Sequence, residues 1–299
     1  LAGYACDRLR ERKIMTDTSL VQGEFAPADT SFAADISVQS SPLDAVVAAV
    51  AEADVAVTAE PNGFIELGLA PELVQAVADL GYTQPTSVQL KAIPLAMGGG
   101  NDSTKFIDLM VSSQTGSGKT AAFLLPVLHT LINQQAAAEA EERAAFERAV
   151  AEAAARGEPA PKRAKRKDPT SSRNFKAATP GALILCPTRE LAQQVAHDAI
   201  DLVKHCRGLR VANVVGGMPY QLQIAKLQNA DLVVATPGRL LDLQRSMQIK
   251  LDKVQFLVVD EADRMLDLGF SDDLAELNQL TAQRKQTMMF SATFAPRIQ

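Results

Sequence analysis

Two short segments combine residue types that bind phosphate with residue types that bind magnesium and activate water. Residues 113–120 read Ser-Gln-Thr-Gly-Ser-Gly-Lys-Thr, and residues 260–263 read Asp-Glu-Ala-Asp. Glycines have no Cβ, so the first segment can bring backbone N–H groups close to phosphate oxygens. A lysine after such a loop reaches the β- and γ-phosphates of a nucleotide, and the following threonine hydroxyl can ligate Mg²⁺. The residues expected to bind the phosphates are Thr115, Gly116, Ser117, Gly118, Lys119 and Thr120.

The sequence around this loop supplies the elements that must position it. Residues 106–111 have the pattern of a buried strand, and residues 120–131 have the pattern of a helix. A loop between them would lie at a helix N-terminus, where the helix dipole favours negative charge. Ser113 departs from the general pattern, which has a glycine at that position. A chance glycine- and serine-rich turn is the alternative, and the flanking strand and helix argue against it.

The acidic tetrad follows a second apolar segment. Residues 254–259 are apolar apart from Gln255, as is typical of a parallel strand covered on both faces. In such sheets ligands bind at the carboxyl ends of the strands. We expect Asp260 to hold Mg²⁺ through water and Glu261 to orient and deprotonate an attacking water, so that both are catalytic together with Lys119. The alternative is a solvated acidic turn.

Five further segments complete an ordered set of seven motifs. They are residues 81–89 (Gly-Tyr-Thr-Gln-Pro-Thr-Ser-Val-Gln), 187–192 (Pro-Thr-Arg-Glu-Leu-Ala), 216–217 (Gly-Gly), 236–239 (Thr-Pro-Gly-Arg) and 291–293 (Ser-Ala-Thr). With Asp-Glu-Ala-Asp, the chain resembles the first, amino-terminal RecA-like domain of the DEAD-box ATP-dependent RNA helicases over about residues 62–299. The resemblance implies ATP and Mg²⁺ as cofactors. It also implies an α/β RecA-like P-loop NTPase domain with a mostly parallel sheet and helices on both faces, which the alternation of strand and helix patterns also favours.

Two residues are candidates for recognising the base. A glutamine can pair with N6 and N7 of adenine, so Gln89 would favour ATP over GTP, because guanine presents O6 where adenine presents an amino group. Phe64 lies where the family carries an aromatic residue that stacks on the base. The alternatives are that Gln89 is a surface helix glutamine and that Phe64 is an ordinary core aromatic.

Three of the motifs each follow an apolar strand pattern and place small residues and backbone N–H groups at its carboxyl end, and two of them add an arginine. The resemblance implies that they hold the sugar–phosphate backbone of RNA without reading its sequence. The alternative is that Arg189 pairs with Glu190 or Asp263 and that the glycines form plain turns. The expected RNA-binding residues are Pro187, Thr188, Arg189, Gly216, Gly217, Thr236, Pro237, Gly238 and Arg239.

A last group of residues has a linking role in the family. The resemblance implies that Asp263, Ser291 and Thr293 couple the magnesium-binding strand to the next strand, over residues 286–290, and to a second RecA-like domain. Their hydroxyl and carboxylate groups can hydrogen-bond to one another. A purely structural network would look the same in the sequence.

Composition limits the classes of function. The chain has 299 residues, 47% of them hydrophobic, and a net charge of −5. Any RNA binding must therefore use local groups rather than a basic surface. The three cysteines, Cys6, Cys186 and Cys206, have no metal-binding spacing and favour a reducing compartment. The sequence shows no stretch of membrane-spanning length and no signal peptide, so we expect a cytoplasmic protein without a membrane partner.

The motifs divide the chain into regions. Residues 1–60 hold no motif and are expected to be a largely disordered extension, in which residues 1–14 precede a possible start at Met15. Residues 61–299 form the predicted RecA-like domain, with a charged insertion at 134–178. The cationic run 162–167 within this insertion favours a solvated surface segment, and an auxiliary clamp on RNA phosphates is the alternative.

The sequence ends shortly after the last motif, and no second RecA-like domain follows within it. We therefore expect the chain to be the amino-terminal half of an ATP-dependent RNA helicase, weakly active alone, because the family's second domain supplies arginines that complete the ATP site. Two alternatives stay open. One is a non-catalytic RNA- or protein-binding module on an ATPase fold, and the other is a DNA-directed or transport P-loop ATPase.

Overall fold

A parallel β-sheet forms the centre of the domain. The computed structural model describes residues 62–98, 106–114, 118–162 and 176–293. Within these ranges six strands form one sheet in the order β1-β6-β5-β2-β4-β3, and every neighbouring pair is parallel. The strands are β1 (Leu109–Ser112), β2 (Ala182–Leu185), β3 (Val211–Val214), β4 (Leu232–Ala235), β5 (Phe256–Asp260) and β6 (Gln286–Ser291).

Helices cover both faces of this sheet, as the sequence predicts. After a short 3₁₀ turn at Ile65–Leu67, the helices are α1 (Pro71–Asp79), α2 (Ser87–Ala96), α3 (Lys119–Ala155), α4 (Arg189–Leu202), α5 (Tyr220–Leu227), α6 (Pro237–Arg245), α7 (Ala262–Asp267) and α8 (Ser271–Leu280). Consecutive residues of a strand point to opposite faces of the sheet and so belong to different hydrophobic cores. Ile184 packs with α1 to α4 on one face, and Leu185 packs with α5 to α8 on the other. Both faces of β2 are therefore buried, which explains its uninterrupted apolar sequence.

The strand boundaries differ from the predicted ones by a few residues. The strand predicted over 106–111 is observed at 109–112, and the one predicted over 254–259 is observed at 256–260. Asp260 is thus the last residue of β5, in register with Phe290 of β6, and not the first residue of a turn. These strand ends are set by pairing with the neighbouring strand. The sequence pattern of one strand carries no information about that pairing.

Helix α3 is much longer than the predicted 120–131. It runs for 37 residues, through Pro126 and on into the charged region that begins at Gln134. Beyond Leu131 most of its side chains are exposed, and alanine and glutamate are strong helix formers that need little burial. The predicted insertion therefore begins as a continuation of the nucleotide-loop helix. Part of its cationic run, residues 163–167, lies outside the described residues, as does the extension 1–60.

In the described ranges, every helix is either too short or too polar to cross a bilayer.

Candidate nucleotide site and adjacent groove

The predicted motifs meet at one edge of the sheet. All but the segment 81–89, which leads into α2, lie at the carboxyl end of a strand, and because all six strands are parallel these ends lie together. The loop follows β1, the acidic tetrad begins at the end of β5, and residues 291–293 end β6. Three further motifs follow β2, β4 and β3. The topology thus places two separate groups of residues on one side of the molecule, a nucleotide site and a neighbouring groove.

Lys119, Asp260 and Glu261 form the charged centre of the nucleotide site. The Lys119 Nζ atom lies 3.1 Å from Asp260 Oδ1 and 3.3 Å from Glu261 Oε1. Lys119 is the first residue of α3, and Gly118 caps this helix with a φ of 80°, a value that a glycine adopts without strain. The lysine and the acidic pair come from distant parts of the sequence, so only the fold brings them together.

Asp260 is completely buried, and neither carboxylate oxygen has a hydrogen-bond partner within the described residues. The Lys119 ammonium forms an ion pair with Asp260, but the angles at the contact are not those of a hydrogen bond. Burial raises the pKa of the Asp260 carboxyl, and the Lys119 ammonium only partly opposes this. Burial would lower the pKa of Lys119, but the carboxylates of Asp260 and Glu261 outweigh it and raise this pKa. The site therefore holds a firmly protonated ammonium beside a carboxylate that lacks hydrogen bonds.

These residues fit Mg²⁺. A buried carboxylate without hydrogen bonds is expected where a cation, directly or through water, completes the site. Magnesium usually takes one or two carboxylates and obtains its remaining ligands from phosphates and water. Accordingly, the described residues contain no cluster of three or more His, Cys, Asp or Glu side chains able to hold a metal by themselves. Thr120 lines the same cavity as Glu261, so a hydroxyl oxygen is available nearby.

Glu261 has an unusual backbone conformation. Its φ of 50° and ψ of 53° lie in the left-handed region, which costs free energy for a residue other than glycine. The side chain is held from two sides, because Oε1 faces Lys119 and Oε2 lies 3.3 Å from Nη1 of Arg264. A strained backbone with a doubly contacted side chain is the arrangement expected of a functional residue. Arg264 was not among the predicted site residues, since an exposed arginine after an acidic tetrad carries no signal by itself.

A cavity of about 530 Å³ adjoins this charged centre. Phe64, Gln89, Gly118, Lys119, Thr120 and Glu261, all predicted site residues, contribute to its lining. Other lining residues were not predicted. Tyr82 belongs to the segment 81–89 but was not singled out within it, and Asp198 lies on α4 outside every motif. Thr115, Gly116 and Ser117 lie outside the described residues, and their phosphate-binding role stays a prediction.

Gln89 is buried, so the surface-glutamine alternative is wrong. Its Oε1 accepts the Thr86 N–H at 2.9 Å, completing a capping box at the start of α2. Its Nε2 donates to the Gly118 carbonyl at 3.1 Å. Each end of the carboxamide thus makes one hydrogen bond, and each keeps the capacity for a second, so adenine could pair with Gln89 while both contacts persist. Phe64 is only 2% exposed, so it is a core residue that also forms part of the cavity wall.

The groove, of about 550 Å³, brings together motifs from three different strand ends. Seven of the nine predicted RNA-binding residues line it: Pro187, Thr188, Arg189, Gly216, Thr236, Gly238 and Arg239. Pro237 is instead buried as the first residue of α6. Gly217 has a φ of 81°, a conformation that favours glycine, and a Cβ there would displace the guanidinium of Arg189.

The two arginines of the groove differ. Arg189 is 57% exposed, and its Nη2 lies 3.9 Å from Glu190 Oε1, one of the expected pairings. Arg239 is half-buried, and its Nη1 donates to the Met218 carbonyl and to Gln223 Oε1, each at 3.1 Å. Arg189 can therefore contact a ligand directly, whereas at least one nitrogen of Arg239 is engaged within the protein.

The expected hydrogen bonds among Asp263, Ser291 and Thr293 are present. Asp263 Oδ2 accepts from the Thr293 N–H at 3.2 Å and from its hydroxyl at 3.0 Å. The Ser291 hydroxyl donates to the Thr293 carbonyl at 2.6 Å. Burial would raise the pKa of Asp263, but the Thr293 hydroxyl and the Arg264 backbone N–H outweigh it and hold this pKa below its ordinary value. The network ties the start of α7 to the end of β6.

Known proteins share this sequence and fold. The chain is 40% identical over 244 residues to DEAD-box ATP-dependent RNA helicase 52A of Oryza sativa subsp. japonica, a match that covers 80% of this chain and 35% of the relative. It is 38% identical over 231 residues to ATP-dependent RNA helicase SrmB of Escherichia coli, covering 77% of this chain and 42% of the relative. The chain thus spans less than half the length of these curated relatives.

Solved structures agree with the sequence matches. A DEAD box protein from Methanococcus jannaschii superimposes with a TM-score of 0.57 at 30% identity, covering 79% of this chain and 51% of that one. A hypothetical ATP-dependent RNA helicase from Sulfolobus tokodaii gives 0.55 at 33% identity, covering 76% and 52%. The family model for DEAD/DEAH box helicases matches residues 86–299. Together with the site geometry, these matches show that the chain belongs to the DEAD/DEAH box helicase family.

Proposed function

We propose that this chain is the ATP-binding half of an ATP-dependent RNA helicase, with Mg²⁺ as its metal cofactor. The observation that carries this proposal is the constellation of Lys119, Asp260 and Glu261 beside the cavity that contains Gln89. The family relationship supports helicase activity for the whole protein. Because the chain covers less than half of its relatives, that activity remains a proposal.

The charged centre suggests how a nucleotide would be handled. Lys119 would turn from its carboxylate neighbours to the β- and γ-phosphates of the bound nucleotide. These phosphates carry more negative charge and would lie against the loop that precedes Lys119. Asp260 would hold Mg²⁺ through water, with Thr120 as a further ligand. When bound, Mg²⁺ would neutralise charge that develops on the phosphates. Glu261, released from the lysine, would orient the attacking water and accept its proton.

RNA would bind in the adjacent groove. Its lining offers the exposed guanidinium of Arg189, the helix N-termini at Thr188 and Thr236, and the backbone of Gly216. These groups suit phosphate oxygens and sugar hydroxyls, and they do not present a pattern that reads bases. Glu190 and Asp242 also line the groove, and their charges would limit the affinity. Sequence-independent, weak binding of single-stranded RNA is therefore the expected behaviour of this chain alone.

Coupling between the two sites would pass through Asp263, Ser291 and Thr293. Asp263 lies two residues after the proposed base, and its partner Thr293 follows β6, which adjoins β1 and the loop. A second RecA-like domain elsewhere in the full protein would complete both sites by adding arginines to the phosphates and contacts to the RNA. A cytoplasmic location is part of this proposal, since the free cysteines fit a reducing compartment.

The first test is Mg²⁺-dependent ATP hydrolysis by the 299-residue chain, with and without single-stranded RNA, together with nucleotide binding. We expect ATP to bind more tightly than GTP and turnover to be low and little stimulated by RNA. Absence of nucleotide binding would contradict the proposal and favour a non-catalytic RNA- or protein-binding module. Strong RNA-stimulated turnover would show that a second domain is not required. Unwinding of DNA but not RNA duplexes by the full-length protein would favour the DNA-directed alternative.

A further inference from the structure

Gln223 on α5 is a polar residue with no exposed surface, and it lies outside every motif. Burying a carboxamide costs free energy unless both of its ends find partners. Here both do. Its Nε2 donates to the carbonyl of Val215, the residue before the glycine pair, and its Oε1 accepts from Arg239 Nη1 at 3.1 Å. One side chain therefore contacts both segments that lead into the groove.

Arg239 extends this connection. The same Nη1 donates to the Met218 carbonyl, which follows the glycine pair. The guanidinium also lies over the ring of Tyr220, 5.7 Å from its centre, and the Tyr220 hydroxyl lies 2.6 Å from Ser246 Oγ beyond the end of α6. The residues Val215, Met218, Gln223 and Arg239 thus form a clasp around the glycine pair, with contacts on both sides of it.

We propose that Gln223 is a positioning residue for the RNA-binding groove. The clasp fixes the loop of Gly216 and Gly217 relative to the start of α6 at Thr236, so that backbone groups from two strand ends are held at a set spacing. A sugar–phosphate backbone has a regular repeat, and rigid presentation of its contacts lowers the entropy lost on binding. The inference rests on the proposed function, because it takes RNA to be the ligand that binds in the groove shaped by the clasp.

The placement of its partners argues against a role in packing alone. A leucine or methionine would fill a similar volume at this position without any desolvated polar group. Gln228 shows what a purely local glutamine does at the end of the same helix. It is 8% exposed, and its Nε2 donates to the Ile224 carbonyl within its own helix, at 3.4 Å. Gln223 instead joins two loops through partners that come from different strand ends.

The test compares Gln223→Met with the matched control Gln228→Met in the 299-residue chain. Amide hydrogen exchange, measured by mass spectrometry, reports the clasp directly. We expect faster exchange in residues 215–218 and 236–240 of Gln223→Met and wild-type exchange in Gln228→Met. Fluorescence anisotropy with a labelled oligouridylate at low salt reports the groove. Gln223→Met should bind about tenfold more weakly, the order expected when buried hydrogen bonds are lost, while its affinity for ADP is unchanged.

Unchanged exchange in both segments, or unchanged RNA affinity in Gln223→Met, would overturn the proposal, and so would an equal loss of ADP binding. If Gln223→Met does not fold, Gln223→Glu replaces it, because the carboxylate still accepts from Arg239 but cannot donate to Val215. That variant should exchange faster at 215–218 while 236–240 stay protected. A wild-type chain that binds no RNA would overturn the proposed function of the groove and with it the RNA role of Gln223, whereas the exchange data would still decide whether the clasp exists.

Discussion

The Lys119 ammonium lies 3.1 Å from Oδ1 of Asp260, and the two residues come from the start of α3 and the end of β5. This contact neutralises part of a carboxylate pair that would otherwise repel phosphate. It also links the start of α3 to the end of β5. The lysine therefore has a structural role in addition to its expected role as a phosphate ligand, and the two roles can be measured separately.

Replacing Lys119 with methionine should destabilise the fold as well as abolish nucleotide binding. Asp260 would be left buried with no nearby cation, and breaking a buried pair in this way costs about 3 kcal/mol. Urea denaturation measures the change in the free energy of unfolding. The control is Lys204→Met, which removes a 2.7 Å contact with Asp79 at the surface and should cost much less, because solvent screens that pair. Similar losses in the two variants would contradict the role of burial.

Glu261→Gln should separate turnover from binding. The amide keeps the size of the side chain but cannot accept the proton of water, so hydrolysis should fall by about 10²- to 10⁴-fold. Nucleotide affinity should change much less, because Lys119 and the loop would still hold the phosphates. Single-turnover hydrolysis and nucleotide titration measure the two effects. Glu276→Gln is the control, since Glu276 pairs with Arg245 away from the cavity. An equal loss of binding and turnover would argue against Glu261 as the base.

Arg189→Ala should weaken RNA binding at every sequence and reduce its dependence on salt. Loss of one phosphate contact lowers the slope of log affinity against log salt concentration by about 1. Anisotropy titrations at several salt concentrations give this slope. Arg156→Ala is the matched control, because Arg156 is also exposed and also lies near a glutamate, Glu152, at 3.5 Å. A slope that is the same for wild type and Arg189→Ala would place the RNA elsewhere.

His129 should make stability depend on pH. Its Nδ1 accepts the Ala70 N–H at 2.9 Å, just before α1, and it can do so only when that nitrogen is unprotonated. Burial lowers the pKa of His129 below its usual 6.5. Between the folded pKa and 6.5, the unfolded chain binds more protons than the folded chain. The free energy of unfolding should therefore fall as the pH drops below 6.5, by about 1 kcal/mol, the size of one hydrogen bond.

Urea denaturation between pH 5 and 8 tests this expectation. In His129→Asn the side-chain oxygen can accept the same N–H but does not titrate, so the decline should flatten. His197→Asn is the control, because its ring is 75% exposed, and it should keep the decline. A decline of the same size in wild type and His129→Asn would assign the effect to another group.

Much of the fold could be predicted from the sequence because its signals are local. An apolar run such as that of β2 indicates a strand buried on both faces, and the glycines, lysine and threonine after β1 indicate a loop followed by a helix. The order of the motifs was enough to identify the family. Strand and helix ends were less accurate, since α3 continues well past Leu131 through a mostly exposed stretch rich in strong helix formers.

Residue types and their spacing along the chain thus accounted for the phosphate loop, the acidic tetrad and the alternation of strands and helices. Contacts between distant residues came only from the folded chain. The parallel order of the strands brings Lys119 to Glu261 and gathers three motifs into one groove. Packing of α2 against the start of α3 brings Gln89 Nε2 to the Gly118 carbonyl, and the buried position of Gln223 lets it join the Val215 loop to Arg239. These partners lie far apart in the sequence, so no local pattern could have specified them.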